Sequence, residues 1–282
     1  MGKRRREDTV TIKILVVPNL RTSHMKAVRY LKEEPTYDKL FLDFPEDLEP
    51  LVKALAKGEL SYRDFFGEVR ERRLVPEPIE GWRYTAEPLL KSMPELRRRK
   101  PELELYCYKD VRDIKRFVEM ATEIAQLTLR ANVTRKINVE DWRNILREGL
   151  SYKREALNNE VCFIYERTSH NSTCTSGMDG GRLEQGLAER GYQVSLTTVE
   201  EWYHPTPLEI LEERLAKGDI LDEEVEELVK GHLEYVRNYI LTRKNRDQAY
   251  YQWVYDKVPK LREKIDPKEI EYLDVLLSPN NI

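Results

Sequence analysis

Hydrophobic and polar positions alternate in two rhythms along this chain, and the changes between them mark out its elements. Thr9–Pro18, TVTIKILVVP, is a β-branched run with no helical spacing, which predicts a strand buried on both faces. MKAVRYLKEE follows with a helical pattern. Lys39–Phe44, KLFLDF, predicts a second strand, and EDLEPLVKALAKG an amphipathic helix closed by Gly58. Residues 61–100 are dense in charge and proline and predict short helices, among them AEPLLKSMPELRRR. Glu104–Tyr108 predicts a third strand. A long helical segment, VRDIKRFVEMATEIAQLTLRA, comes next, then a second helix over Val139–Asn158. Val161–Glu166, VCFIYE, predicts a fourth strand. Gly180–Arg190 predicts a helix stopped by Gly191, and Tyr192–Leu196 a fifth strand.

Strands alternating with helices predict an α/β fold, a mostly parallel sheet with helices on both faces. After Pro205 the strand rhythm is lost. LEILEERLAKG predicts a helix, and a longer one starts at Asp222. In it Val225, Leu228, Val229, His232, Val236, Tyr239 and Ile240 recur on one face. DPKEIEYLDVLLS predicts a last helix. The expected division is an α/β domain over residues 1–200 and a C-terminal helical extension over 201–282, serving as a cap or a dimerisation element.

Composition narrows the function. The 282 residues carry 35% charged side chains and a net charge of −3. Glu, Lys and Arg dominate, a bias shared with thermophilic proteins. A near-neutral balance argues against a nucleic-acid binder. The basic cluster Lys3–Arg6 and the aromatics Tyr250, Tyr251, Trp253 and Tyr255 beside Arg243, Lys244 and Arg246 are the features that would favour one. Packing of the aromatics and a solvated tail are the alternatives. The three cysteines form no CxxC pair, and Cys107 and Cys162 lie in apolar runs that predict burial. Cys174 stands in a polar stretch four residues from His170, where a thiol could be activated. No apolar run reaches the ~18 residues of a membrane span, and no signal peptide is evident, so the expectation is a cytoplasmic protein without membrane contact.

One tetrapeptide occurs twice: Arg21-Thr22-Ser23-His24 and Arg167-Thr168-Ser169-His170 hold two of the four histidines. Each copy follows a predicted strand, and in a parallel sheet the carboxyl ends of strands share one ligand-binding edge. Asp43 closes another predicted strand at that edge. Two imidazoles and a carboxylate form a donor set for a divalent metal ion with open positions, which would lower the pKa of a bound water. Arg21 and Arg167 would clamp an anionic group or pair with nearby acids. The alternative is local: Thr22 or Ser23 simply caps the next helix. His204, among Trp202 and Tyr203, and His232, on an apolar helix face, are expected to be structural.

The order of these features resembles the superfamily of TraB/PrgY, Tiki, ChaN-like and erythromycin-esterase-like proteins. It covers strand–x–x–His, an acid closing the next strand, an Arg-acid pair, a second strand–x–x–His, then a helix and Gly191-Tyr192 before a strand. The likeness spans about residues 10–198. It implies an α/β fold with a metal or catalytic site in which Arg147-Glu148 is the Arg-acid pair. Relatives carry glycine where Arg21 and Arg167 stand, and usually Glu where Asp43 stands. The implied activity is metal-dependent hydrolysis of a small-molecule or peptide substrate, anionic in character. His24, His170 and Asp43 would hold the ion. Glu148 would act as base or fourth ligand, and Arg147, Arg21 and Arg167 would orient the substrate. The competing expectation is a regulatory protein that binds a nucleotide or phosphate ligand without turnover. The C-terminal helices are the expected surface for a homo-oligomer.

Overall fold

A computed structural model of the chain describes residues 11–168 and 171–276. The chain divides into two units. The first holds the chain up to Lys115 together with Arg154–Glu201; the second holds Arg116–Lys153 and the chain from Trp202 onward. One division thus falls after Glu201, and residues 116–153 belong with the C-terminal helices.

The first unit is an α/β fold. It contains β1 (Thr11–Val16), α1 (Arg21–Glu33), β2 (Lys39–Pro45), α2 (Glu49–Lys57), α3 (Tyr62–Glu71), α4 (Ile79–Arg99) and β3 (Glu104–Lys109). Two long helices follow: α5 (Val111–Thr134) starts in this unit, and α6 (Val139–Arg167) ends in it. β4 (Ser172–Ser176), α7 (Gly180–Ala188) and β5 (Gln193–Thr198) complete it. The strands are all parallel in the order β3-β2-β4-β1-β5.

Residues alternate across the sheet. Leu15, Leu40, Leu42 and Leu105 join a core with α1, α2, α3 and α4. Ile12, Ile14, Phe41, Tyr108 and Cys174 join a second core with Val161 and Ile164 of α6 and Leu183 and Leu187 of α7. Gly58, at φ 75°, ends α2 as expected, its N–H meeting the Ala54 and Leu55 carbonyls.

Two expectations need correction. Val161–Glu166 is not a strand but the last turns of α6. A short apolar run fits either element; the buried positions Val161, Ile164 and Thr168 stand three and four apart, which is helical spacing. Cys162 consequently faces outward and is exposed. The strand that fills the place between β1 and β2 is Ser172–Ser176, STCTS, buried at all five positions. Its hydroxyls have local partners: the Thr175 hydroxyl donates to the Phe41 carbonyl at 3.4 Å and accepts the Asp43 N–H at 3.1 Å. The segment expected to hold short helices carries one, the 10-residue α3, and then the longer α4 of 21 residues, with Pro88 and Pro94 inside it.

Arg21 is 2% exposed. Its guanidinium donates to the Tyr84 carbonyl at 2.7 Å and pairs with Glu87 of α4 at 2.5 Å. The Tyr62 hydroxyl donates to the other Glu87 oxygen at 2.7 Å. Burial raises the Glu87 carboxyl, but the hydrogen bonds from Tyr62 and Arg21 outweigh it and hold the pKa below its ordinary value.

The second unit is helical. It adds α8 (Pro207–Lys217), α9 (Asp222–Tyr235), α10 (Arg246–Lys257) and α11 (Pro267–Leu276) to the inner parts of α5 and α6. Thr206 and Glu209 form a capping box at the start of α8. The expected long helix is interrupted: a π turn over Val236–Ile240 separates α9 from α10. Trp142, Ile145 and Leu146 of α6 pack with Leu211, Leu215, Val225 and Val229. The aromatics pack on one another rather than forming an open stacking face. Tyr203 stacks on Tyr250 at 5.1 Å, and Trp253 meets Tyr235 edge-on at 5.3 Å. No helix among the described residues is long and apolar enough to cross a membrane.

His232 lies in this core, its Nε2 3.2 Å from the Thr128 hydroxyl and its ring edge-on to Trp142. Burial lowers its pKa from 6.5 to about 4. A base depressed in the fold contributes stability that is present above about 6.5 and lost as pH falls through about 4. His232→Gln should therefore flatten the acid limb of a denaturation series taken across that window; an unchanged limb would place the acid sensitivity elsewhere. For the Arg21–Glu87 pair, Arg21→Leu and Glu87→Leu should each cost about 3–5 kcal/mol in urea unfolding, because each strands a buried charge. The double variant should cost less than the two singles together.

Candidate active site

The connection after β1 runs through α1 on one face of the sheet, and the connection after β4 runs through α7 on the other. A crevice between oppositely directed connections is where open parallel sheets bind ligands. In this strand order that position falls at the carboxyl ends of β4 and its neighbours β1 and β2.

The residues that gather there include Asp43 from the expected set and two residues outside it. Asp43, near the end of β2, accepts the Gly177 N–H on Oδ2 at 3.0 Å. Its Oδ1 is 3.2 Å from Nζ of Lys109, the last residue of β3. The pairing of β2 with β3 slips by one residue between Leu42 and Pro45, a bulge that contains Asp43. Lys109 reaches a second acid, Glu160 of α6, at 2.7 Å. Asp43, Lys109 and Glu160 thus form a carboxylate–ammonium–carboxylate cluster drawn from three elements. Tyr108 lies beside it and donates its hydroxyl to the Thr175 carbonyl at 2.7 Å.

The charges in this cluster shift one another. Burial pushes the Glu160 carboxyl up from 4.5 to about 7; the Lys109 ammonium pulls it back, and Asp43 and Asp179 push it further up. Burial alone would lower the Lys109 pKa, but Asp43 and Glu160 outweigh it and raise it. Lys109 is therefore a permanent cation, while Glu160 titrates near neutrality. Burial pushes the Cys174 thiol well above its ordinary range, so the nucleophile considered from the sequence is an inert core residue.

The sequence-predicted residues are dispersed. Asp43 takes part in the cluster, though bound to an ammonium and an amide. His24 lies in the first turn of α1, on the carboxyl side of β1. His170 lies outside the described residues, as does Ser169. The residues around them sit at the amino ends of the strands. The Thr11 hydroxyl donates to Asn171 Oδ1 at 2.5 Å, and Lys39, the first residue of β2, donates to the Arg167 carbonyl at 2.6 Å. The second copy of the tetrapeptide thus precedes a strand rather than following one, and its described residues lie at the opposite edge from the first copy. Arg167 ends α6 with its guanidinium over the Phe163 ring, and Arg21 is consumed by Glu87. Arg147 and Glu148 belong to the second unit. There Arg147 pairs with Asp219, and Glu148 accepts the Tyr152 hydroxyl at 2.6 Å.

The described part of the expected metal donor set does not fit a divalent ion. The acid already holds an ammonium, and the flanks of the second histidine leave from the far edge. Among the described residues, no group of three or more His, Cys, Asp or Glu is arranged to hold a metal. Lys109 and Glu160 escaped the sequence reading. The one usable signal for Lys109 was a cation closing an otherwise apolar strand. Glu160 gave none, because its helix was expected to have ended.

A carboxyl raised in the fold contributes stability that is complete below 4.5 and lost as pH rises through about 7. Glu160→Gln should therefore gain on the wild type between about pH 5 and about pH 8 in chemical denaturation. Lys109→Met should move the Glu160 titration, followed by carboxyl infrared bands, to higher pH; a shift the other way would mean that the two side chains are not in contact. No protein-family model matches this chain, and no match to it was found among curated proteins or solved structures.

Proposed function

We propose that the chain is a hydrolase that works by acid–base chemistry over the carboxyl ends of β2, β3 and β4. Glu160 is the group that exchanges protons. The observation that carries this reading is the buried Lys109–Glu160 contact at 2.7 Å, with the Glu160 pKa lifted to about 7. A carboxyl poised near neutrality can accept a proton at working pH and return it. A structural ion pair needs no such poise, although buried pairs of that kind also shift pKa values.

In the proposed reaction the Glu160 carboxylate takes a proton from water as the water oxygen attacks an acyl carbon. The same proton then passes to the leaving group as the acyl bond breaks. Lys109 stabilises the oxyanion that forms between the two steps. Asp43, fixed by the Gly177 N–H, holds the ammonium in place. Acids dominate this edge, since Asp43 and Asp179 both act on Glu160. They favour a neutral or cationic substrate over the anionic one expected from the sequence. The phosphate-binding alternative is weakened because Arg21 is committed to Glu87.

Turnover of a panel of neutral and cationic chromogenic esters and amides tests the proposal. Activity should rise as pH passes about 7, and Glu160→Gln should lower kcat/KM by about a hundredfold to ten-thousandfold. Activity should survive EDTA and His24→Ala. Loss on chelation would favour a metal centre, and an unaffected Glu160→Gln would end the reading.

A further inference from the structure

β5 ends the sheet. Its inner side pairs with β1 from Thr11–Gln193 to Val16–Thr198, and among the described residues no strand pairs with its outer side. The Val199 N–H meets the Val16 carbonyl at 3.0 Å. By the two-residue alternation of a strand, the backbone groups of Val194, Leu196 and Thr198 point outward. Such an edge is a template for another strand, and proteins ordinarily guard it with charge, proline or a covering element. The opposite edge is guarded: β3 begins at Glu104 and ends at Lys109. β5 is not. Its six residues, QVSLTT, carry no charge in a chain that is 35% charged, and Gln193, Ser195, Leu196 and Thr198 are exposed.

We propose that β5 is the contact between two copies of this chain, joined as antiparallel strands about a twofold axis at Leu196. In that register Leu196 faces its own copy, Val194 faces Thr198, and Ser195 faces Thr197. The outward backbone groups of Val194, Leu196 and Thr198 then pair with one another. Charge at the strand ends selects this direction and this partner. Exposed Arg190 precedes the strand and exposed Glu201 follows it. Antiparallel pairing brings Arg190 of each copy toward Glu201 of the other, whereas parallel pairing would align like with like. The symmetry closes at two chains, since each copy has one unguarded edge. The five-stranded sheets would become one of ten strands. This proposal is independent of the chemistry assigned to Glu160.

Light scattering on the full chain should give a two-chain mass. Leu196→Lys and Leu196→Glu each set like charges face to face and should halve that mass while the far-UV spectrum is kept. Mixing the two variants should restore two chains. Thr198→Pro removes one outward N–H but spares the bonds to β1, and should also yield single chains. A single-chain mass for the wild type would overturn the proposal. So would two-chain masses for the Leu196 variants, or single chains after mixing them.

Discussion

The Lys109 ammonium, closed between Asp43 and Glu160, is the interaction on which the proposed chemistry depends. It ties β2, β3 and α6 together where the sheet opens. Alone, any one of these charges would be too costly to hold there. Together they leave one cation to two acids, and the unbalanced acid is Glu160, the more buried of the two. Burial above all, with the charge of Asp43 added, holds its proton and couples the stability of this edge to pH. The bulge at Asp43 and the amide of Gly177 direct the outer carboxylate onto the ammonium. The poise of Glu160 therefore rests on backbone geometry as well as charge.

Much of the fold was legible in the sequence because burial on both faces of a parallel sheet leaves a continuous apolar run. β1, β2 and β3 have that mark, and their expected and observed bounds agree within a few residues. β4 lacks it. STCTS looks like a polar loop, yet it is fully buried, because small hydroxyl side chains find partners in the strand beside them. The apolar run VCFIYE before it drew the strand assignment to itself. That one exchange decided the expected site. Shifting β4 by about ten residues reverses which end of the strand meets the tetrapeptide, and Arg167 of the second copy lies at the amino edge. The site residues were illegible for the same reason: Glu160 becomes visible only once α6 is known to run on to Arg167.

The two arginines that open the repeated tetrapeptide also part company in the fold. Arg21 is buried, and a glycine there would remove the guanidinium that pairs with Glu87 and donates to the Tyr84 carbonyl. Its presence makes sense only together with an acid on α4, Glu87, within the core of the first unit. The acid beside Arg167 is its exposed neighbour Glu166, at 3.4 Å. Arg167 stands in the last turn of α6, where a cation complements the helix dipole, and it lies over Phe163. Identical letters in the sequence thus have different physical reasons. One arginine fills a buried charge site between two helices, and the other terminates a helix at the opposite edge of the sheet. Repetition of a short word carries no site by itself; what the word follows in the fold decides its chemistry, and here one copy follows a strand and the other a helix.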